Sequence, residues 1–143
     1  MKKVGIGIGL AAVTAGSLWI FARQDEVAMP QGVGSESTAI VSVNVPDTLS
    51  ANAEIGKTVY EAKCAACHAP SGVGQVDMAP PLIHKIYEPS HHGDEAFQRA
   101  VANGVRAHHW KFGDMPPVEG LTRGDVAMIV TYIRELQRAN GIN

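Results

Sequence analysis

The residues of this chain best suited to chemistry form one stretch, Cys64-Ala65-Ala66-Cys67-His68, which contains both cysteines of the protein. Two thiols at this spacing can form thioethers to two vinyl groups of a haem, and the next imidazole then falls beneath the iron. A redox dithiol would instead lie near a strand, whereas the residues before Cys64 have a helical pattern. A structural zinc site would need a second pair of ligands. The stretch therefore favours one covalently attached haem c.

The iron of such a haem either takes a ligand on the face opposite His68 or keeps an open position for oxygen or peroxide chemistry. Met115 is the preferred candidate because its loop can reach that face and Pro116 restricts its backbone. Met78 follows His68 too closely, and Met128 lies between apolar positions of a helix, where packing is the simpler role. We predict that His68 and Met115 are the two metal ligands.

Five further histidines keep other possibilities open, namely His84, His91, His92, His108 and His109. They could provide bis-His ligation of the haem or bind a second metal such as copper. Adjacent side chains point in divergent directions, so neither pair is by itself a chelating face. The simpler interpretation is that these histidines hydrogen-bond to backbone, haem propionate or water, and the sequence leaves their role open.

Three helices and long loops must position these residues. The first helix is predicted at about residues 51–63, with Ile55, Val59 and Ala62 at helical spacing, and the second at about residues 94–103. No alternating pattern separates the helices, so the fold class is all-α. Long loops count against a small fold unless something fills its centre, and one covalent haem would do so.

Local signals mark the ends of these helices. Ser50 can cap the first helix, Gly104 can end the second, and Thr122 with Asp125 forms a capping-box pattern at the start of the third. The third helix also carries one apolar stripe, made of Val126, Ile129, Val130, Ile133 and Leu136.

The beginning of the chain has a different composition. Lys2 and Lys3 precede a charge-free run, residues 4–22, which as a helix would be roughly 28 Å long and so close to a bilayer core in thickness. Bulky residues end the run, so residues 1–23 predict an uncleaved membrane anchor, with a cleaved signal peptide as the alternative. The lysine pair predicts a single-pass protein of the inner membrane with its haem domain in the periplasm. Signal cleavage would instead give a soluble periplasmic protein.

Residues 24–50 are predicted to be a flexible linker, because the composition there changes to Gly, Ser, Pro and acidic residues. A short alternation at residues 39–45 could form an isolated strand, but Pro46 ends it and it has no evident partner. The haem domain would then comprise residues 51–143. With 143 residues, 45% of them hydrophobic, and a net charge of −2, the chain fits one modest domain plus the anchor, and we expect no nucleic-acid partner.

Residues 51–143 resemble a class I c-type cytochrome of the small bacterial monohaem kind, which is often tethered to a membrane. The resemblance rests on Gly56, Tyr60, the motif that ends at His68, Ala79-Pro80-Pro81-Leu82, Met115 followed by proline, and Tyr132. Ala79 stands where the family usually has glycine, and the histidine-rich segment 87–110 is not explained by the general pattern.

The resemblance implies a cytochrome c fold in which the first and last helices cross at Gly56 and Tyr132. It also implies that the Pro80 carbonyl accepts a hydrogen bond from the proximal imidazole and that Leu82 packs on the haem. Trp110 could donate its indole N–H to a haem propionate, since a buried tryptophan needs an acceptor.

These observations predict an electron carrier rather than an enzyme, exchanging electrons with membrane complexes or periplasmic oxidoreductases. A fixed haem subunit of a larger dehydrogenase or reductase is the alternative. An enzyme or gas sensor with a labile Met115 ranks last, because no distal acid or base is evident.

Overall fold

The computed structural model describes residues 38–143, and this part of the chain is helical. Its elements are α1 (Ala51–Lys63), α2 (Ala65–His68), α3 (Asp94–Asn103) and α4 (Arg123–Ala139), with 3₁₀ turns at Pro70–Gly72 and Lys85–Tyr87. Within these residues, strand-like pairing is limited to isolated bridges. The predicted all-α fold class is confirmed for the described residues.

Helices α1 and α3 begin and end at the predicted residues, and α4 begins at the predicted cap, because these signals are local. The Ser50 hydroxyl accepts a hydrogen bond from the Ala53 N–H at 3.3 Å. The Thr122 side chain accepts from the Asp125 N–H, and the Asp125 carboxylate accepts from the Thr122 N–H, which completes the capping box. At the end of α3, Gly104 adopts a φ of +73°.

Helices α1 and α4 cross at Gly56. A Cβ atom at this position would lie 1.9 Å from the Met128 carbonyl oxygen, so the helices can approach this closely only at a glycine. One turn further along each helix, the rings of Tyr60 and Tyr132 pack with their centroids 5.6 Å apart. The helix crossing implied by the resemblance is therefore present, with Gly56 against the backbone at Met128 and the two tyrosines alongside.

The buried face of α1 differs from the predicted one. Ala53, Gly56 and Tyr60 are buried, whereas Ile55 is 54% exposed and Val59 is only half-buried. The prediction followed the aliphatic residues, but close contact with α4 requires small side chains. The stripe of alanine and glycine is therefore the one that faces the partner helix.

The core lies between α1, α4 and the loop that follows the motif. Its buried residues are Ala53, Tyr60, Leu82, Ile83, Ile129, Tyr132, Ile133 and Leu136. All five residues of the predicted α4 stripe are buried, which confirms that prediction. Helix α3 packs less deeply, and its side chains Phe97, Ala100 and Val101 are half-buried.

The segment before α1 lies against the domain from Thr38 onward. The carbonyl of Thr38 accepts from the Val76 N–H at 2.9 Å, and the N–H groups of Ile40 and Val41 both donate to the Val73 carbonyl at 3.2 Å. The alternating stretch of the sequence thus finds its partner in the loop that follows the motif.

Further contacts fix the second part of this segment. Asn44 exchanges two backbone-to-side-chain hydrogen bonds with Asn140, at 2.8 and 2.9 Å, and Val43 and Leu49 pack against the core. In the described part of the predicted linker, residues 38–50, the chain therefore belongs to the packed domain. This corrects the predicted boundary at residue 51.

The predicted membrane anchor, residues 1–23, lies outside the described residues. From Thr38 to the end of the chain, no helix has the length and apolar character needed to cross a membrane.

Candidate haem site

The Cys-x-x-Cys-His motif lies at the junction of α1 and α2. The Cys64 N–H donates to the Tyr60 carbonyl at 2.8 Å, and the His68 N–H donates to the Cys64 carbonyl at 2.9 Å. Both cysteines are free thiols, Cys64 half-buried and Cys67 exposed. Burial raises the pKa of the Cys64 thiol to about 11, and the neighbouring Cys67 acts in the same direction. The junction thus keeps both thiols and the imidazole within one short turn of backbone.

A sharp turn follows the motif. Ala69 adopts a φ of +62°, a conformation that costs a non-glycine residue about 1–3 kcal/mol. Two hydrogen bonds hold the turn: the buried Tyr60 hydroxyl donates to the Ala69 carbonyl at 2.8 Å, and the Gln75 amide donates to the Cys67 carbonyl at 2.9 Å. The backbone strain beside His68 is thus compensated by contacts from both sides.

The turn brings Pro80 to His68. The Nδ1 atom of His68 lies 2.9 Å from the Pro80 carbonyl oxygen. A carbonyl can only accept, so Nδ1 carries the proton and Nε2 keeps a lone pair that can bind a metal. Burial lowers the pKa of His68, with the Pro80 hydrogen bond acting in opposition. Burial thus favours the neutral imidazole, which is the metal-ligating form.

Glycine allows the Pro80 loop to approach this closely. Gly74 has a φ of +74°, and a Cβ atom there would lie 2.5 Å from the Pro81 nitrogen. The Leu82 N–H donates to the Gly72 carbonyl at 2.8 Å. The turn that follows the motif thus fixes the proline loop directly after Pro80.

Two neighbours of Pro80 also have clear positions. Leu82 belongs to the buried core. Ala79, which replaces the glycine usual at this position, is buried and has no positive φ, and its backbone pairs with Gln75 in both directions. Alanine is therefore compatible with this loop.

Met115 is held by its backbone. Its N–H donates to the Val105 carbonyl and its carbonyl accepts from the Val105 N–H, both at 2.9 Å. Gly104 makes room for this pairing, since a Cβ atom there would lie 2.5 Å from the Met115 oxygen. Of the other candidate methionines, Met78 is 54% exposed and Met128 is half-buried on α4.

Trp110 lies in the loop closed by this pairing. Its ring stacks on Phe112 at 5.6 Å and meets the edge of His84 at 5.2 Å. The indole Nε1 is buried and makes no hydrogen bond to any part of residues 38–143. Burial raises the pKa of Tyr87 to about 12, and the nearby indole N–H partly offsets this, although the two groups do not reach hydrogen-bond geometry.

Two polar side chains of α4 that the sequence analysis missed hold the loops of this region. The guanidinium of Arg134 donates to the Tyr87 carbonyl at 2.7 Å and to the His92 carbonyl at 2.5 Å. The amide of Gln137 donates to the Leu82 carbonyl at 2.9 Å. Both residues lie on the buried face of α4, and polar residues on an otherwise apolar face were the signal that could have identified them.

The loop histidines fall into two groups. The ring of His84 accepts from the Ile86 N–H at 3.2 Å and caps a 3₁₀ turn. The other four lie together, and the Nε2 atoms of His91 and His109 are 3.3 Å apart. Burial, followed by the charges of the neighbouring imidazoles, lowers the pKa of His109. The sequence shows two adjacent histidine pairs, 91–92 and 108–109, but not that the fold brings them together.

The donor set fits a covalent haem. Two free thiols precede an imidazole whose Nε2 atom is available, and a buried indole N–H lies ready for an acceptor such as a propionate. Together with the all-α fold and the crossing of α1 and α4, this arrangement defines a class I c-type cytochrome.

Comparison with known proteins supports this assignment to the c-type cytochromes. The Cytochrome c family profile matches residues 53–137, and the chain belongs to this family. This family match supports haem-based electron transfer by the domain.

Two curated relatives are similar over part of their length. The chain is 36% identical over 83 residues to the cbb3-type cytochrome c oxidase subunit CcoP of Azospirillum brasilense, covering 54% of this chain and 25% of that protein. It is 30% identical over 114 residues to a thiosulfate dehydrogenase of Psychrobacter arcticus, covering 77% of this chain and 33% of that protein. The chain thus spans a third or less of either relative. No solved structure matches it significantly.

Proposed function

We propose that the domain is an electron carrier with a single haem c, attached through Cys64 and Cys67 and ligated by His68 and Met115. When bound, this haem supplies reversible one-electron exchange at its iron. The observation that carries the proposal is the 2.9 Å contact between His68 Nδ1 and the Pro80 carbonyl oxygen. With Nδ1 donating to Pro80, Nε2 would be the metal-binding atom, and the contact would fix the ring orientation and increase the basicity of the ligand.

Met115 completes the proposed ligand set. A thioether opposite an imidazole favours the reduced iron and raises the potential, and a sixth ligand excludes small molecules from the metal. The pairing of Met115 with Val105 supports this role because it fixes the backbone of the residue in the middle of a long loop. The buried indole of Trp110 would donate to a propionate and so help to orient the haem. Leu82 would contribute apolar contact from the core.

We further propose that residues 1–23 anchor the protein in the inner membrane with the haem domain in the periplasm. The supporting observation is the charge-free run of residues 4–22 behind a lysine pair. Its partners would be membrane complexes or periplasmic oxidoreductases that dock weakly and exchange electrons quickly.

A fixed haem subunit is the second candidate. It is favoured by the name of one relative, a subunit of a cbb3-type oxidase, in which the matching region is 25% of the protein. Purification from native membranes separates the two candidates. A carrier should elute alone in mild detergent, whereas a subunit should remain in constant proportion to one complex after repeated chromatography.

Covalent attachment can be tested by denaturation. Haem should stay with the denatured wild-type chain, and the double variant Cys64→Ser, Cys67→Ser should release it into acidified organic solvent. Retention of the haem spectrum by the denatured double variant would contradict attachment through these thiols.

The ligand on the second face can be tested by potentiometry. Met115→His should stay low-spin with a markedly lower potential, because imidazole stabilises ferric iron more than a thioether does. Met115→Ala should open the iron to carbon monoxide and cyanide, whereas the exposed control Met78→Ala should leave the spectrum unchanged. An unchanged spectrum and potential in Met115→Ala would contradict the assignment of Met115 as the second ligand. Carbon monoxide binding by the wild type would instead favour a sensor or peroxidase.

Membrane attachment can be tested by mass spectrometry of the native protein. We expect an intact N-terminal segment and resistance to salt washing. A mature chain that begins after Ala15 or Ala22 would show instead that the segment is a cleaved signal.

A further inference from the structure

The histidines of two separate loops meet on one side of the domain. His91 and His92 lie in the turn that precedes α3, and His109 lies in the loop between α3 and α4. We call these three residues the histidine cluster. One nitrogen from each ring can be chosen so that all three lie within 4.8 Å of one another. No carboxylate or thiol belongs to the group.

The distance between two of these nitrogens matches that of two imidazole ligands bound to the same metal ion. The Nε2 atoms of His91 and His109 are 3.3 Å apart. Two imidazoles bound to one tetrahedral ion at metal–nitrogen distances of about 2.0–2.1 Å have their nitrogens about 3.3–3.4 Å apart. The observed separation therefore leaves room for one ion that binds both nitrogens.

The third ring is oriented by a hydrogen bond typical of metal-binding histidines. The Nδ1 atom of His92 lies 2.7 Å from the Ile86 carbonyl oxygen, so Nδ1 is the protonated nitrogen and Nε2 is available. Ligating histidines commonly donate their second N–H to a backbone carbonyl in this way.

The backbone of the histidine pair is also fixed. The N–H groups of His91 and His92 both donate to the Glu88 carbonyl, at 3.0 and 2.8 Å. The His92 carbonyl accepts from the buried guanidinium of Arg134 at 2.5 Å. The two rings are therefore presented by a turn that is anchored to α4.

We propose that His91, His92 and His109 form a binding site for one divalent transition-metal cation of the Cu²⁺ and Zn²⁺ class, separate from the haem iron. Three imidazole nitrogens suit copper, zinc and nickel, whereas Mg²⁺ and Ca²⁺ require oxygen ligands. The ring of His108 lies beside that of His109, with the centroids 4.3 Å apart, and its Nδ1 contacts the Arg106 carbonyl oxygen at 2.8 Å. Two of the three ligands are solvent-exposed, so an ion can enter without opening the fold.

The test uses the full-length, haem-loaded protein without a histidine tag, after treatment with a chelator. Titration calorimetry with Cu²⁺ and Zn²⁺ should give one ion per chain, bound more tightly for copper than for zinc, and Mg²⁺ should not compete. His91→Asn and His109→Asn should each weaken binding at least tenfold. His84→Asn is the matched control, because it removes an imidazole outside the cluster and keeps an acceptor for the Ile86 N–H.

Two spectroscopic readouts complete the test. The electron paramagnetic resonance spectrum of bound Cu²⁺ should show hyperfine coupling to several nitrogens, with fewer in each cluster variant. The haem absorption spectrum should not change on copper addition or in the cluster variants, whose folding is checked by circular dichroism. The proposal is overturned if the wild type fails to bind copper or zinc at 100 µM or if folded cluster variants bind as tightly as wild type. It is also overturned if a cluster variant turns the haem high-spin, because that histidine would then be a haem ligand.

Discussion

Where α1 crosses α4, backbones and apolar side chains meet directly, whereas the backbone carbonyls of Leu82, Tyr87 and His92 are held to α4 by polar side chains. The crossing depends on the absence of a side chain at Gly56 and on the buried rings beside it. The loops depend on Arg134 and Gln137, which donate to backbone carbonyls of three different residues. The helix pair is thus sensitive to added volume, and the loops are sensitive to the loss of single hydrogen-bond donors.

The contacts that stabilise the fold therefore differ from the contacts that position the haem site. The motif itself begins on the helix pair, at the end of α1. Pro80, Trp110 and Met115 all lie in the loops. Changes at the crossing should therefore affect the whole domain, while changes at the polar anchors should disturb the site first.

The largest effect is expected at the helix crossing. Gly56→Val places atoms on the Met128 carbonyl, which would lie only 1.9 Å from the new Cβ atom, so the helices must separate. We expect the free energy of unfolding to fall by about 3 kcal/mol or more, measured by denaturant titration followed by circular dichroism. The control is Gly124→Ala on α4, where the nearest atom is 3.5 Å away. Equal stability of the two variants would mean that the crossing is not tight.

A smaller but more local effect is expected at Arg134. Replacing it by methionine leaves the Tyr87 and His92 carbonyls with fewer donors, at a cost of about 2–4 kcal/mol. Hydrogen exchange should accelerate in residues 84–94 more than in α1. The exposed pair of Arg123 with Glu95 gives the control, since Arg123→Met should leave exchange in that loop unchanged. Uniform acceleration over both helices would remove the distinction between the two regions.

The segment before α1 should respond more weakly. Asn140→Ala removes both hydrogen bonds to Asn44 and should lower stability by about 1 kcal/mol. Limited proteolysis should then cut residues 41–47 faster than in wild type, and Asn143→Ala should serve as the neutral control. Unchanged cleavage would show that apolar contacts alone hold the segment.

The smallest effect is expected at the cap of α4 and depends on pH. Hydrogen bonds from Thr122 hold the pKa of Asp125 below its ordinary value of 3.8. A carboxyl with a lowered pKa stabilises the fold above its ordinary value, and this contribution is lost as the pH falls through the lowered value. The difference in unfolding midpoint between wild type and Asp125→Asn should therefore be present at pH 6 and shrink toward pH 2. A difference that is constant over this range would exclude the carboxylate as its source.

The helices could be predicted from the sequence because their signals are local. Ser50, Thr122 and Asp125 act on N–H groups within three residues, and the stripe of α4 repeats at helical spacing. The buried face of α1 was missed because it is defined by the closeness of another helix rather than by its own apolar residues. The resemblance directed attention to Pro80, and the structure places its carbonyl at His68 Nδ1.

The loop anchors could not be predicted in the same way. Arg134 and Gln137 donate to backbone carbonyls. Because every residue has a backbone carbonyl, the sequence does not show which residue accepts the hydrogen bond. The sequence raised a second metal bound by the loop histidines, but it could not show which of them meet, for a related reason. His91 and His109 are close only because the turn before α3 and the loop after it fold onto the same side of the domain.

The pairing of Val105 with Met115 also bears on how this protein could be re-engineered. Those two residues close the base of a loop that carries His108, His109 and Trp110, and their hydrogen bonds do not involve the tip. The entropic cost of a longer closed loop grows only slowly with its length. A reporter peptide or a different metal-binding sequence could therefore be inserted between Val105 and Met115. The two backbone hydrogen bonds would still hold Met115 in position.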